Sequence, residues 1–336
     1  MDFTVADEQR LLVDSVTSLL ARACPPAVVR AVTEGDRDAA RLPALADYVA
    51  LGDAPAVDHV LVAERLGSAC APGPWLVASA VALPLLRAAG QPRADAIAAG
   101  ERAATVAWAG ADGRWSLPPA GGPERTFVLE LDLADDVVVV HADGISVMPG
   151  AGGRRTTWLD LTRTAWEVAV DDVATHPVSD SDLAAVLDRA TVVLAAELCG
   201  TARAMLDRSL AFANERVQFN RPIGSFQAVQ HLLADLALDV ERAWAVVQWA
   251  AMCLDEPMAA GSDAARAPHI AKAAASEAGY HAARTSIQVH GGIGYTWEHD
   301  LHLWLRRATT TAHLLGTADE HHDALASLVV SGGRRG

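Results

Sequence analysis

The sequence predicts an α+β chain, mostly α, in which a small block of β-strands separates two helical regions. Three observations carry that expectation. Apolar residues recur at helical spacing through the first hundred positions. From about Glu101 the period shortens to β-branched runs. From Ser181 onward long helical patterns return, broken only by two loops of unusual composition. The 336 residues are enough for two or three separate cores. We accordingly expect an N-terminal helical domain over residues 1–100, a shortened β-domain over 101–178 and a C-terminal four-helix-bundle domain over 179–336.

The first helix is expected to open at Thr4-Val-Ala-Asp7, a capping box with Asp in place of Glu, because Leu11, Leu12, Val16, Leu19 and Leu20 then keep to one face. Cys24-Pro-Pro ends it. Leu42 to Tyr48, Val57 to Leu66 and Trp75 to Ala89 read as further helices, separated by breaks such as Ala71-Pro-Gly-Pro74. Five strands are expected at Thr105–Trp108, Thr126–Leu131, Asp136–His141, Gly144–Met148 and Trp166–Val170. The stretch from Ala109 to Arg125 is a Gly/Pro-rich connection. Gly150-Ala-Gly-Gly-Arg-Arg155 has no phosphate-loop Lys-Ser/Thr and opens no helix, so it reads as a hairpin tip. Ser181 to about Asn214 is one helix, about 50 Å long at 1.5 Å per residue. Ser225 to Leu254 is the next. A third ends at Gly291-Gly292 and has Pro268 at a first-turn position, and Leu301–Leu315 and Thr317–Val330 follow. Long antiparallel helices of this kind form a bundle with large side faces.

Bulk properties exclude several classes of function. A formal net charge of −15 disfavours nucleic-acid and anionic-membrane partners. No apolar run reaches the length of a membrane span, and Met1-Asp-Phe-Thr lacks the basic start of a secretory signal, so a cytoplasmic protein is expected. Cys24, Cys70, Cys199 and Cys253 have no metal or disulfide spacing and are expected as small buried apolar residues. His290 and His299 have no partner at ligand spacing, so no metal is expected. Of the 27 lysine and arginine residues only Lys272 is lysine, which we attribute to codon bias.

The two loops carry the chemistry. Asn214 to Gln230 reads NERVQFNRPIGSFQAVQ, with a turn at Pro222 and Gly224. A connection between helices needs only the turn. Arg216, Gln218, Phe219, Phe226 and Gln227 suit a planar, negatively charged ligand, because arginine offers a fork to phosphate and the amides offer donors. Taken alone, Arg216 reads rather as a solvated surface charge, and the second loop reverses that. The second loop, Gln288-Val-His-Gly-Gly-Ile-Gly-Tyr-Thr-Trp-Glu-His-Asp300, places two glycines where a backbone can approach a ligand closely.

Together, R-x-Q-F-x-x-P-I-x-x-F-Q and, some sixty residues later, Q-V-H-G-G-I-G-Y resemble the C-terminal domain of the acyl-CoA dehydrogenase family. The resemblance is strong from Ser181 to Leu328, traceable in the N-terminal helices and patchy between. It implies FAD as cofactor, an acyl-CoA as substrate and oxidation between the α and β carbons of the thioester. There a carboxylate removes the α proton while the flavin takes the β hydride. By the resemblance, Arg216, Gln218 and Phe219 clasp the FAD pyrophosphate and its surroundings, with Gln227 in the same loop. Gln288, Val289, Gly291 and Gly292 line the path of the adenosine end. Gly316, Thr317 and Asp319 form the turn after the catalytic position. The Arg216-type and Gln288-type contacts reach into a neighbouring subunit's site, whereas the Thr317-type contact serves the subunit's own.

The departures are as informative. Where many members carry Tyr-Glu-Gly-Thr, this chain reads Leu314-Leu315-Gly316-Thr317, so Leu315 stands at the base position. The alternative family position, near the start of the first long helix, holds Ala190. Neither side chain accepts a proton. Glu197, seven residues on and on the same helix face, is a weak candidate base, or a paired structural charge. The Thr-Glu-Pro-x-Ala-Gly-Ser segment that supports the flavin ring is replaced by Val106-Ala-Trp-Ala-Gly-Ala-Asp-Gly113. Three readings follow. The chain is a half-site subunit resembling the short, base-lacking subunits of bacterial α2β2 acyl-CoA dehydrogenases that act on steroid side chains. It is a self-sufficient homo-oligomer with an unusual base such as Glu197. Or it is a helical scaffold without flavin.

Overall fold

The computed structural model describes residues 4–119, 121–170 and 174–332. Among the described residues the architecture is helical, with two three-stranded sheets and a two-stranded ribbon. It begins with α1 (Asp7–Ala23) and α2 (Pro26–Thr33), followed by 3-10 turns at Asp38–Arg41 and Pro43–Asp53. Next come α3 (Ala56–Ser68) and a helix over Trp75–Ala88 that is α4 (Trp75–Val77), a π-turn at Ala78–Ala82 and α5 (Leu83–Ala88). After α6 (Arg93–Ala98) come β1 (Ala104–Ala107), β2 (Glu124–Leu129), β3 (Asp136–His141), β4 (Gly144–Pro149), β5 (Arg154–Thr156) and β6 (Ala165–Ala169). The long α7 (Asp180–Glu215) leads to a two-stranded ribbon, β7 (Val217–Gln218) and β8 (Arg221–Pro222). The chain finishes with α8 (Gln227–Asp255), α9 (Pro257–Ala260), α10 (Asp263–His290), α11 (Leu301–His313) and α12 (Ala318–Gly332).

Two compact units result, one from residues up to 21, 60–71 and from 194 on, the other from 22–59 and 72–193. In the second unit the strands form two three-stranded sheets, ordered β1-β3-β4 and β2-β6-β5. β1 runs parallel to β3, and the other pairings are antiparallel. Ala107, Val128, Val137, Val139 and Val168 meet in one core cluster drawn from both sheets, with Trp166 against it. Burial of both faces explains why β3 is an unbroken valine run rather than an alternating one. The Gly150–Arg155 segment is not a hairpin tip, because β4 and β5 belong to different sheets. It is the crossing between sheets, and Gly150 lies so close to Ala134 that a Cβ would stand 1.9 Å from its carbonyl oxygen.

Local expectations shift where side chains compete with them. α1 starts at Asp7, and the reaching-back partner is the Gln9 amide oxygen, which accepts from Ala6 N–H at 3.0 Å. The Leu42–Tyr48 helix is a 3-10 segment, reached through Leu42 in a left-handed conformation. α2 and α6, eight and six residues long, are too short for a period to be read and were missed. α10 begins at Asp263, so Pro268 sits inside it rather than in its first turn.

In the first unit, Leu233, Leu236, Val240, Ala243, Val247 and Ala250 form an alternating three- and four-residue seam along α8. It packs on α10, whose buried positions are mostly alanine, serine and glycine and let the axes approach. α7 crosses the end of α3 at two glycines. A Cβ on Gly200 would lie 1.8 Å from the Glu64 carbonyl oxygen, and one on Gly67 would lie 1.9 Å from that of Glu197. α11 is tied to the same place by Trp304 Nε1 donating to Ser68 O at 2.9 Å and by Arg307 donating to Ala71 O at 3.1 Å. All four cysteines are buried and unbridged. Among the described residues no single helix is long and apolar enough to cross a membrane.

Candidate functional site

The first loop is tighter than its sequence suggests. α7 ends at Glu215, and the chain reverses at Phe219-Asn220 rather than at Pro222 and Gly224, which instead lead through a 3-10 turn into α8. Phe219 and Asn220 have φ of 52° and 64°. Two successive positive φ values are the mark of a type I′ hairpin turn. Asparagine tolerates that conformation, but a bulky aromatic residue does so only under constraint. Phe219 is nonetheless 88% exposed. Its ring meets Phe226 edge-on at 6.1 Å, and Arg221 lies over Phe226 at 3.9 Å. Strain held at an exposed aromatic residue points to a binding role. Arg216, Gln218 and Gln227 are exposed on the same loop, and the Arg216 guanidinium has no partner among the described residues.

The second loop lies against the end of α7, next to the first. Phe212, one turn before Arg216, stacks on His290 at 4.4 Å, and His299 closes the cluster at 4.8 Å from His290. His290 Nδ1 donates to Ser286 O at 2.8 Å, and burial pushes this imidazole below its ordinary pKa. The Phe212–His290 stack therefore brings the ends of α7 and α10, and with them the two motifs, together. Gly291 and Gly292 face open space, with no heavy atom within 4 Å of a built Cβ. Gln288 is exposed, whereas Val289 is buried and can offer only its backbone. Gln288 also lines a cleft of about 370 Å³ between α10 and α11, with Tyr280, Arg284, Tyr295 and His313 at its walls.

The third group, Leu315 to Asp319, lies elsewhere. Leu315 (φ 57°) and Gly316 (φ 103°) form a left-handed turn between α11 and α12. Thr317 and Glu320 make a capping box in both directions: Thr317 N–H donates to Glu320 Oε2 at 2.9 Å, and Glu320 N–H to Thr317 Oγ1 at 3.3 Å. Asp319 is exposed in the first turn of α12. The turn is held by Lys272, whose Nζ donates to Ala312 O at 2.9 Å, Gly316 O at 2.8 Å and Ser276 Oγ at 3.1 Å. Lys272 and Gln288 are sixteen positions apart on α10, which at 1.5 Å per residue is about 24 Å. The residues carried over from the family thus form two groups at different levels of one helix.

Neither family base position offers a carboxylate. Ala190 is buried on α7 and Leu315 is half-buried. Glu197 is buried and its Oε1 accepts from Arg307 Nη1 at 2.7 Å, so the structural charge weighed from the sequence has a definite partner. For FAD, the donor set of Arg216, Gln218 and Gln288 beside two open glycines fits a pyrophosphate and its adjoining sugar. The Val106–Gly113 segment does not fit a flavin ring in the same way. Trp108 is fully buried there, stacked on Trp115 at 5.6 Å with Nε1 donating to Ser116 O, and no hydroxyl stands where the family segment has its threonine and serine. Among the described residues no group of three or more His, Cys, Asp or Glu side chains is placed to hold a metal. Sequence reasoning missed Lys272, Arg307 and Phe212. Only Lys272 gave a signal, as the single lysine.

Residues 183–329 match the family model of the acyl-CoA dehydrogenase C-terminal domain. The acyl-CoA dehydrogenase IpdE2 of Mycobacterium tuberculosis is 34% identical over 335 residues, covering 94% of this chain and 96% of that protein. Among solved structures, the ChsE4–ChsE5 complex from Mycobacterium tuberculosis is similar with a TM-score of 0.85 at 24% identity, over 98% of this chain and 99% of that one. A variant of the Tcur3481–Tcur3483 steroid ACAD is similar with a TM-score of 0.83 at 24% identity, over 98% of this chain and all of that one. These two likenesses bear on the fold.

Proposed function

The chain belongs to the acyl-CoA dehydrogenase family, and from that premise we propose that it is a half-site subunit of a heteromeric, FAD-dependent acyl-CoA dehydrogenase. The observation that carries the reading is an asymmetry. The exposed Arg216–Phe219 hairpin and the Gln288–Gly292 loop are joined through Phe212 and His290, while both base positions hold aliphatic side chains. A strained, solvent-facing hairpin with an unengaged guanidinium has no use in a scaffold. The separation of about 24 Å along α10 favours two different sites, one completed for a partner and one remnant of its own. The FAD, when bound, supplies the hydride acceptor. This chain's Arg216 would neutralise the pyrophosphate, and Gln218, Gln288 and the Gly291-Gly292 backbone would fix its path.

The catalytic carboxylate would then belong to a second acyl-CoA dehydrogenase-like chain in an α2β2 assembly acting in the cytoplasm. The substrate class would be an acyl-CoA thioester, with a steroid side chain as the first candidate because one similar structure is a two-protein steroid ACAD. In this reading the divisions near residues 100 and 178 separate the N-terminal, β- and bundle domains. The homo-oligomeric alternative loses ground with Glu197, whose carboxylate is held by Arg307.

The test is co-expression with the partner chain, followed by flavin counting. One flavin per pair of unlike chains is expected. Arg216→Ala should lower flavin occupancy, because losing a charge-assisted contact at a closed interface costs about 2–5 kcal/mol. One flavin per chain, or unchanged flavin content and activity in Arg216→Ala, would overturn the reading.

A further inference from the structure

The turn at the family's base position holds a demanding backbone shape around an aliphatic side chain, Leu315. Leu315 and Gly316 are both left-handed, and for a leucine this conformation persists only where the surroundings impose it. The surroundings here are two side chains. The end of α11 leaves carbonyls without partners inside the helix. Ala312 O and Gly316 O accept from Lys272 Nζ, and Leu315 O accepts from His321 Nε2 at 3.0 Å. His321 is fixed in turn, since its Nδ1 lies 2.8 Å from His269 Nδ1. We infer that Lys272 is a positioning residue which, with His321, holds the Leu314–Thr317 turn in the shape that presents Leu315 and Thr317 to the ligand site.

Composition sharpens the inference. Every other basic residue that is not histidine is arginine, and the one lysine stands where arginine could not serve. Guanidinium stays charged and is larger, whereas an amine can give up its proton in a buried site. Ser276 makes both states workable. Its hydroxyl can accept from an ammonium or donate to an amine, so Nζ keeps three partners either way. Burial presses the amine down to about 7, opposed by Glu320. The titratable groups that bear on the cluster are Glu320, His269 and His321. Burial holds both imidazoles below their ordinary value, with Lys272 adding to the effect at His321.

The inference rests on the half-site reading, in that it takes this turn to border a flavin or acyl-CoA site. The first arm of the test does not depend on that reading. A full-length chain labelled with 13Cε-lysine gives one signal, whose titration midpoint is expected near neutrality and moves in His321→Leu. Lys272→Met and His321→Leu should each speed amide exchange over residues 314–318 about tenfold, leaving the amides of α8 unchanged. A lysine midpoint near that of a free side chain, or unaltered exchange in both variants, would overturn the clamp. Because His321→Leu retains the buried amine, it decides the matter should Lys272→Met fail to fold. The second arm uses the flavin-loaded assembly with its partner chain. Lys272→Met should shift the flavin absorption band or weaken flavin retention about tenfold. Faster exchange in the turn with an unaltered flavin spectrum and retention supports the clamp and overturns the placement of this turn at the ligand site.

Discussion

Glu197 shows at the residue scale why a lone carboxylate in an apolar helix is ambiguous until its neighbours are known. Its position two turns along the same helix face from Ala190 made it a candidate base, and its partner Arg307 lies 110 positions away. Removing one member of a buried ion pair strands the other, which typically costs about 3–5 kcal/mol. Glu197→Gln should therefore lower the melting temperature clearly while leaving turnover per flavin nearly intact. A large fall in turnover with an unchanged melting temperature would make Glu197 the base. Lys272 gives a prediction in pH. Its pKa is depressed in the folded state from 10.5 to about 7, so the unfolded chain binds more protons between those values. Stability from this site is then fully present above about pH 10.5 and is lost as pH falls through about 7. Across pH 7–9.5 the wild type should gain stability relative to Lys272→Met, in chemical denaturation at matched ionic strength. His321, depressed to about 4, acts in the same sense in the acid range, present above about 6.5 and lost toward 4.

Glycines with opposite tasks look alike in sequence and separate at the scale of the element. Gly200 lets α7 touch α3, and a methyl group there would stand 1.8 Å from a backbone oxygen that cannot swing aside. Gly200→Ala should cost about 3 kcal/mol, the upper part of the range for overpacking. Gly292 faces open space at an ordinary φ, so Gly292→Ala should leave the melting temperature within a degree or so yet reduce flavin content in the assembly. Equal losses of stability in the two variants would contradict the distinction. Periodicity found the long helices because a seam such as Leu233 to Ala250 repeats many times. It failed at α2 and α6, where one or two turns leave no period to read, and it took the 3-10 segment Pro43–Asp53 for a helix over Leu42–Tyr48.

For the molecule as a whole, the half-site reading predicts that the chain expressed alone is colourless or nearly so, because no segment equivalent to Thr-Glu-Pro supports the flavin ring. Exposed Phe219, Tyr280, Tyr295 and Trp297 would favour self-association in the absence of a partner. A yellow homodimer with one flavin per chain, seen by absorbance and light scattering, would restore the self-sufficient alternative. By itself the sequence determined the fold class, the order of the long elements, and both loops that resemble a family flavin motif. These are properties of spacing along the chain, and spacing is local. Only the tertiary structure decided what those residues touch. It set the strained reversal at Phe219-Asn220, the stack of Phe212 on His290, the capture of Glu197 by Arg307, and the buried amine of Lys272 under the Leu315 turn. Each of these joins positions through packing or a hydrogen bond whose geometry depends on how helices cross, and no pattern of residue types along one helix encodes the residue that will meet it from another.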